Sequence, residues 1–488
     1  MNGEISGAYE QRAVSELARR VTGPVLIPGD PAYEAERSGF QTRRRHRPDV
    51  IVGATGVADV RAAVGYAAAR RLPVAVQATG HGLAVPADGG VLVTTGRMTG
   101  LRIDPVARTA WVAAGVSSGD LVRAAARHGL APLSGSFPGT GVVGYTLAGG
   151  FGLLARQFGY AADRVRRIEL VTADGVRREA SPHREPELFW GLRGGGGNFG
   201  VVTGMEVELL PLERVFGGRL LFDGAHAETV LRGWQRWAES APEALTSSAT
   251  LLPYPDLPQL PEAVRGRYLV QLQLAFAGPV EEGEELVRPL RELAPVESDT
   301  LRELPFTESA TIHDEPAEPH GYRAFGVALD GGLAGSELRS VLDLTGPGAP
   351  MMCVLGMRHL GGALARRPAV ESAVPHRDAR FLLSVLSVPE GPEEPEGPDG
   401  PDGAGGSRGA GDGPLPSGGD AAVTALHERV RAVVRAQTLG SCLAMLFGAQ
   451  PEVVRAAFPP ETHRRLAALK GAVDPENLFR LNHNIPPR

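Results

Sequence analysis

The sequence predicts an α+β fold in two parts: a mixed α/β part, then an antiparallel sheet backed by helices. Three observations predict it. The chain has 488 residues, too many for one ordinary core. Up to about Leu212, short apolar runs alternate with segments of helical period. Beyond that point longer strand patterns take over. The run Tyr268-Leu269-Val270-Gln271-Leu272-Gln273-Leu274 alternates apolar and polar residues, as a half-buried strand does, with Gln271 and Gln273 on one face.

Residues 1–44 read as a leading helix and turn. Between Val57 and Arg71, Val60, Ala63, Val64 and Ala67 share one helical face. Leu72-Pro73-Val74-Ala75-Val76 reads as a buried strand. Ala113 to Gly129 repeats a strand and a helix, with Gly129 as the stop. A first domain is therefore placed at 45–212 and a second at 213–440. The second contains further strands at Ala349–Leu360 and Phe381–Val388. Inside it, residues 390–420 are low-complexity (PEGPDGPDGAGGSRGAGDGP) and have too few apolar residues to offset the entropy of ordering, which predicts a disordered insertion. A helix resumes over Ala421–Ala436. Residues 441–488 are expected to return to the first domain, through a capped turn at Asp474-Pro475-Glu476-Asn477 and a closing Asn482-His483-Asn484-Ile485.

The hydrophobic content of 43% supports sizeable cores, and the net charge of −6 argues against a nucleic-acid partner, which needs a basic face. The one basic cluster, Arg43-Arg44-Arg45-His46-Arg47, reads as a solvated face. Cys353 and Cys442 sit in apolar runs and make neither a disulfide framework nor a zinc site, so no metal is expected. No secretory leader is evident at Met1-Asn2-Gly3, and no run approaches the ~20 apolar residues of a membrane span. A cytoplasmic location without membrane association is the expectation.

Chemistry concentrates in three glycine-rich places. The strand ending at Val76 runs into Gln77-Ala78-Thr79-Gly80-His81-Gly82. A tight turn of this kind presents successive backbone N–H groups as an anion nest, with one imidazole inside it. The second place runs from Ser134 to Gly152 and contains a literal G-x-G-x-x-G at Gly139, Gly141 and Gly144. It fails as a dinucleotide fingerprint: no buried strand precedes it, and Gly149, Gly150 and Gly152 oppose a following helix. It reads instead as an extended, backbone-lined channel for a long, flat, phosphate-bearing cofactor. The third, Gly191 to Thr203, is flanked by core-like Leu188-Phe189-Trp190 and Val201-Val202-Thr203 rather than by linker residues.

These motifs, in this order, resemble the FAD-linked oxidases with a p-cresol-methylhydroxylase-type (PCMH-type) FAD domain, and within them the berberine-bridge-enzyme-like oxidoreductases. The pieces are QATGHG, GVVGYTLAGGFG, the stretch from Tyr160 to Gly175, ELFWGLRGGGGNFGVVT and DPENLFRLNHNIPP. The resemblance implies a two-lobed FAD domain plus a substrate domain, and a bound FAD joined covalently through His81. It implies a cofactor lining made by Gln77, Ala78, Thr79, Gly80 and Gly82 of the turn. Ser134, Gly135, Pro138, Gly139, Thr140, Gly144, Gly149, Gly150 and Gly152 continue that lining along the glycine segment. Asp163, Val201, Asn482 and Asn484 complete it. Thr140 falls near the position implied to govern oxygen access. Some relatives add a second, cysteine link to the flavin; Phe137 holds that position here, so one attachment is expected.

The implied activity is FAD-dependent oxidation of a small or medium organic substrate (alcohol, secondary metabolite or sugar), with hydride transfer to flavin N5 and O2 as the electron acceptor. The tyrosines that many relatives use as a base are missing: no tyrosine follows Tyr322. Tyr145 and His463 are the leading catalytic candidates, ahead of Arg358, His359 and His376. The missing tyrosines leave open the alternative of a flavin-binding protein that lacks redox catalysis or catalyses a non-redox step.

Overall fold

The structure, a computed structural model, describes residues 11–389, 419–448 and 451–488. The first lobe contains a helix α1 (11–18), β1 (Val25–Leu26), α2 (Tyr33–Arg37), β2 (Val50–Gly53), α3 (Val57–Ala68), β3 (Val74–Gln77) and β4 (Val91–Thr94). Its sheet runs β1-β2-β4-β3, with β4 parallel to both β2 and β3. Strands buried on both faces read as continuous apolar runs, and Val-Ile-Val and Val-Leu-Val do so here. The face expected of α3 is the buried one: Val60, Ala63, Val64 and Ala67 are fully enclosed. The leader is more than a helix and turn, because β1 adds a strand that pairs antiparallel with β2. The basic cluster is a solvated face only in part: Arg45 and Arg47 are exposed, whereas Arg43 and His46 are buried and Arg43 meets Asp420.

The second lobe is an antiparallel sheet ordered β5-β6-β9-β7-β8. It comprises β5 (Leu101–Asp104), β6 (Thr109–Ala113), α4 (Ser118–Ala126), α5 (Val142–Leu147), α6 (Ala155–Phe158), β7 (Val165–Val171), β8 (Arg177–Ala180), α7 (Pro186–Leu192) and β9 (Val201–Glu208). Ser117 caps α4, its Oγ accepting from the Asp120 N–H at 3.2 Å.

The large sheet holds, among the described residues, nine strands in the order β13-β10-β12-β11-β16-β17-β15-β18, with β14 also on β10, and its pairings are antiparallel. Its elements are β10 (Arg214–Asp223), α8 (Ala227–Ala238), β11 (Leu245–Pro253), β12 (Tyr268–Phe276), α9 (Val280–Arg291), β13 (Val296–Asp299), β14 (Arg302–Pro305), β15 (Arg323–Leu329), α10 (Gly335–Thr345), β16 (Met352–His359), β17 (Phe381–Val388), α11 (Gly419–Val433) and β18 (Thr438–Ser441). The chain ends its course through α12 (Pro451–Ala456) and α13 (Pro460–Val473). The insertion expected at 390–420 lies outside the described residues, except that Gly419 and Asp420 already open α11.

Trp234 of α8 shows which face the helices cover: its Nε1–H donates to Ser247 Oγ at 3.1 Å. Odd-numbered residues of β11 therefore face the helices, and Thr246, Ser248 and Thr250 face the other way. That second face is covered too, by the second lobe. Arg156 of α6 donates to the carbonyls of Leu245 (2.7 Å) and Leu360 (2.9 Å). Consequently β12 is buried on both faces rather than half-buried, and Gln271 and Gln273 are 4% and 2% exposed.

Candidate cofactor and substrate site

The turn after β3 depends on Gly80. Its φ is 73°, and a Cβ there would lie 2.5 Å from the Cα of Gly39. This close approach lets residues 39–41 run along the turn, with the N–H groups of Phe40 and Gln41 donating to the carbonyls of Thr79 (3.0 Å) and Gly80 (3.1 Å). Phe40 then lies flat on the His81 imidazole, with 3.9 Å between centroids and 11° between planes. Phe137 approaches the same imidazole at 5.0 Å. His81 Nδ1 is 2.9 Å from Thr79 Oγ1, and Nε2 is buried without a partner. Burial, assisted by nearby His320, pushes His81 down to about 4, so the ring is neutral at pH 7.

The glycine segment lies against this turn. A Cβ on Gly141 would sit 3.6 Å from that of Ala78. The first turn of α4 pins it: the N–H groups of Ser118 and Gly119 donate to the carbonyls of Thr140 and Pro138, both at 2.8 Å. The segment is not extended throughout. Residues Val142–Leu147 form α5, because Val142, Val143 and Leu147 find places in the core of the second lobe. Several glycines pack around Tyr145. Gly149 and Gly150 have φ of 102° and 71°, and a Cβ on Gly150 would lie 2.7 Å from the Tyr145 ring and 2.8 Å from Ala161. Gly135 and Gly152 border the same ring and hydroxyl, and Gly152 also abuts the Ser134 carbonyl. Gly139 sits under Phe137. Gly82 and Gly144 differ, since a side chain at either would meet no other residue.

The C-terminal segment closes the third side. Lys470 is fully buried; its Nζ donates to Asp474 (2.6 Å), to the Asn198 carbonyl (2.7 Å) and to the Phe479 carbonyl (3.0 Å). Asn198 returns the tie, its amide donating to the His483 carbonyl and its Oδ1 accepting from the Ile485 N–H. Asn482 and Asn484 each keep a buried Oδ1 without a partner. Buried polar atoms are ordinarily satisfied. Three orphans (His81 Nε2, Asn482 Oδ1 and Asn484 Oδ1) and the open sides of Gly82 and Gly144 fit a large polar cofactor with many acceptors and donors.

Comparison with known proteins agrees. Residues 48–181 match a family described as "FAD binding domain", and residues 445–486 one described as "Berberine and berberine like". The chain thus carries an FAD-binding domain and a berberine-like C-terminal domain, and its relatives are berberine-bridge-like FAD-linked oxidoreductases. The (R)-6-hydroxynicotine oxidase of Paenarthrobacter nicotinovorans is 29% identical to this oxidoreductase over 96% of the chain and 97% of its own length. A crystal structure of 6-hydroxy-D-nicotine oxidase from Arthrobacter nicotinovorans superposes with a TM-score of 0.78 at 25% identity, covering 96% of this chain and 98% of that one. A xylooligosaccharide oxidase of Thermothelomyces thermophilus is 29% identical over 47% of this chain and 48% of its own.

Within the oxidoreductase, some expected site residues are committed elsewhere. The Asp163 carboxylate is held by Arg377 (2.7 and 2.9 Å) and Ser372, an ion pair between the second lobe and the loop before β17. Gln77 donates to the carbonyls of Ser38 and Arg37, so its side chain anchors the leader. Val201 is fully buried at the start of β9, within the hydrophobic core of the first lobe.

The two leading catalytic candidates are not brought together. Tyr145 lies in the glycine segment with its hydroxyl buried and unpartnered; burial raises its pKa, so it keeps its proton. His463 is on α13, which packs on α7, and its side chain forms no hydrogen bond among the described residues. His359 stacks on Phe381. His376 abuts Gly440 of β18, and burial lowers its pKa.

Sequence reasoning missed Phe40, which lies far from His81 in the chain. It also missed the polar row on the sheet. Ser248 and Thr250 donate to Gln273 Oε1 (3.1 and 3.3 Å), Gln273 Nε2 donates to Gln271 Oε1 (3.1 Å), and Gln271 Nε2 donates to the Tyr254 hydroxyl (2.6 Å). A pocket separates this row from the glycine segment, with Phe151 and Gly152 on one wall and Ser248, Gln273, His313 and Arg358 on the other. The alternation of the β12 sequence was the one available signal.

Proposed function

We propose that this oxidoreductase holds FAD along the turn at 78–82, the glycine segment and the Asn482–Asn484 return, joined by one covalent bond to His81. It then oxidises a small or medium organic substrate in the adjoining pocket, with O2 taking the electrons. Its relatives named for hydroxynicotine and xylooligosaccharide oxidation support substrates of that size range. When bound, FAD supplies a two-electron acceptor at flavin N5.

The observation that carries the reading is the state of His81. A neutral imidazole has one lone pair. Nδ1 is engaged by Thr79 Oγ1 and Nε2 is the nitrogen without a partner; in the tautomer whose Nδ1–H donates to that hydroxyl, the lone pair is on Nε2. Phe40 and Phe137 fix the ring plane, and burial keeps the proton off. Phe137 stands where a second link would start and has only carbon to offer. Tyr145, holding its proton, serves as a hydrogen-bond donor rather than as a base.

The test is acid precipitation of the purified yellow protein, followed by a denaturing gel viewed under ultraviolet light. Fluorescence should travel with the polypeptide and be lost in His81→Ala. Flavin found wholly in the supernatant would refute the covalent bond. Oxygen consumption across a panel of alcohols, sugars and cyclic metabolites tests the oxidase reading. Turnover only with an artificial dye would make the protein a dehydrogenase.

A further inference from the structure

We propose that Arg358 anchors an anionic group, a carboxylate, of the substrate, so that the oxidoreductase acts on organic acids rather than on neutral sugars or cationic amines. The inference rests on the flavin-site reading above and deepens it.

Arg358 lies on β16 opposite Ser248 of β11. The register puts it on the face that looks toward the second lobe, in the same row as Arg219, Gln273 and Ser248. Its guanidinium is 5.8 Å from the Phe151 ring, across the pocket. Among the described residues it has neither a hydrogen bond nor a carboxylate partner, and it lines the pocket with Gln273, Ser248 and Gly152.

The surrounding charges make this unusual. Arg219, in the same row, is answered by Asp314 at 2.9 Å and by the His313 carbonyl. Glu243 is answered by Arg366. Glu315 takes the Ser136 hydroxyl and sits 4.0 Å from His313. His313, also in the pocket wall, is kept neutral, held to about 3 by burial and by Arg358 and Arg219. Among the described residues, no carboxylate lines the pocket. An unanswered guanidinium offers a planar fork of donors that matches a carboxylate. The row of Gln273, Gln271 and Tyr254 beside it can hold the neutral polar atoms of the same molecule. A cationic amine would instead meet an unscreened like charge.

The probes are benzoate, benzamide and benzylamine, which share a ring and differ in charge. Each is titrated into the holoenzyme, following the flavin spectrum and, in parallel, the melting temperature. Benzoate should bind at least ten times more tightly than benzamide, and benzylamine should not bind. Arg358→Gln should abolish the benzoate preference with flavin content unchanged, and Arg358→Lys should retain part of it. Equal affinity of the wild-type protein for benzoate and benzamide would overturn the proposal whether or not a variant folds. So would a preference that survives in Arg358→Gln. A variant whose flavin potential falls while the preference persists would assign the guanidinium to the cofactor, and would also overturn it. A preparation without flavin would count against the FAD reading, while the melting-temperature titration would still decide the role of Arg358.

Discussion

Phe40 covers one face of His81, 3.9 Å away and nearly parallel, although the two residues belong to different segments of the first lobe. The contact exists because Gly39 and Gly80 let two backbones meet. It fixes the plane of the imidazole and keeps water from that face.

Phe40→Ala removes both effects. The fraction of flavin that survives acid precipitation is expected to fall several-fold. The His81 pKa should rise from about 4 toward its ordinary value, read by NMR on the flavin-free protein. Phe40→Tyr keeps the ring and should restore both. Unchanged values in Phe40→Ala would remove the positioning role.

Several histidines make the fold sensitive to acid. Burial holds His46, His81 and His483 to about 4 and His359 and His427 to about 3, against an unfolded value near 6.5. Below pH ~6.5 the unfolded chain binds protons that the folded chain refuses, so stability falls as the pH drops toward 4. The melting temperature should be level from pH 8 to 7 and decline by several degrees between pH 6.5 and 4.5. A flat profile over that interval would show that these rings charge freely in the folded protein.

Lys470 and Asp474 form a fully buried pair that ties α13 to Asn198 and Phe479. Lys470→Met leaves the Asp474 carboxylate buried and unpaired. A loss of about 3–5 kcal/mol in chemical denaturation is expected. Flavin retention should fall with it, since Asn482 and Asn484 lose their footing. Lys470→Met combined with Asp474→Leu should recover much of the stability.

Gly150→Val confronts a positive φ and two close neighbours, Tyr145 and Ala161. Strain of about 1–3 kcal/mol and overpacking of similar size are expected to add. The variant should lose flavin absorbance per mole of protein while the helices and sheet of the substrate side still give native-like circular dichroism. Full flavin occupancy would contradict this account of the glycine.

How much of this was legible beforehand followed the range of the interactions. The α3 face and β17 were readable because periodicity is local: the α3 face is fully buried, and β17 alternates buried with half-buried residues after its opening Phe381-Leu382-Leu383. The turn at His81 was readable because glycine demands are local too. The partners were not. Asp163 looked available in sequence, and only the fold brings Arg377 to it. Gln271 and Gln273 were seen to share a face, but that face is covered by a lobe far away in the chain. Phe40 carries no local signal at all. Its importance comes from the approach of two glycines, which periodicity cannot register.

The lysine staple also has a consequence in time. The turn at 78–82 and the glycine segment leave the ribosome long before residues 470–485, which supply Asn482, Asn484 and the Lys470 ties to Asp474 and the Asn198 carbonyl. Contacts that span most of the chain form late, because loop closure must come first. A nascent chain halted before α13 would display the histidine and the glycines on an open cleft that lacks its third side. Cofactor capture is therefore expected only after translation has passed the last helix, which would make any attachment at His81 a mark of completed synthesis.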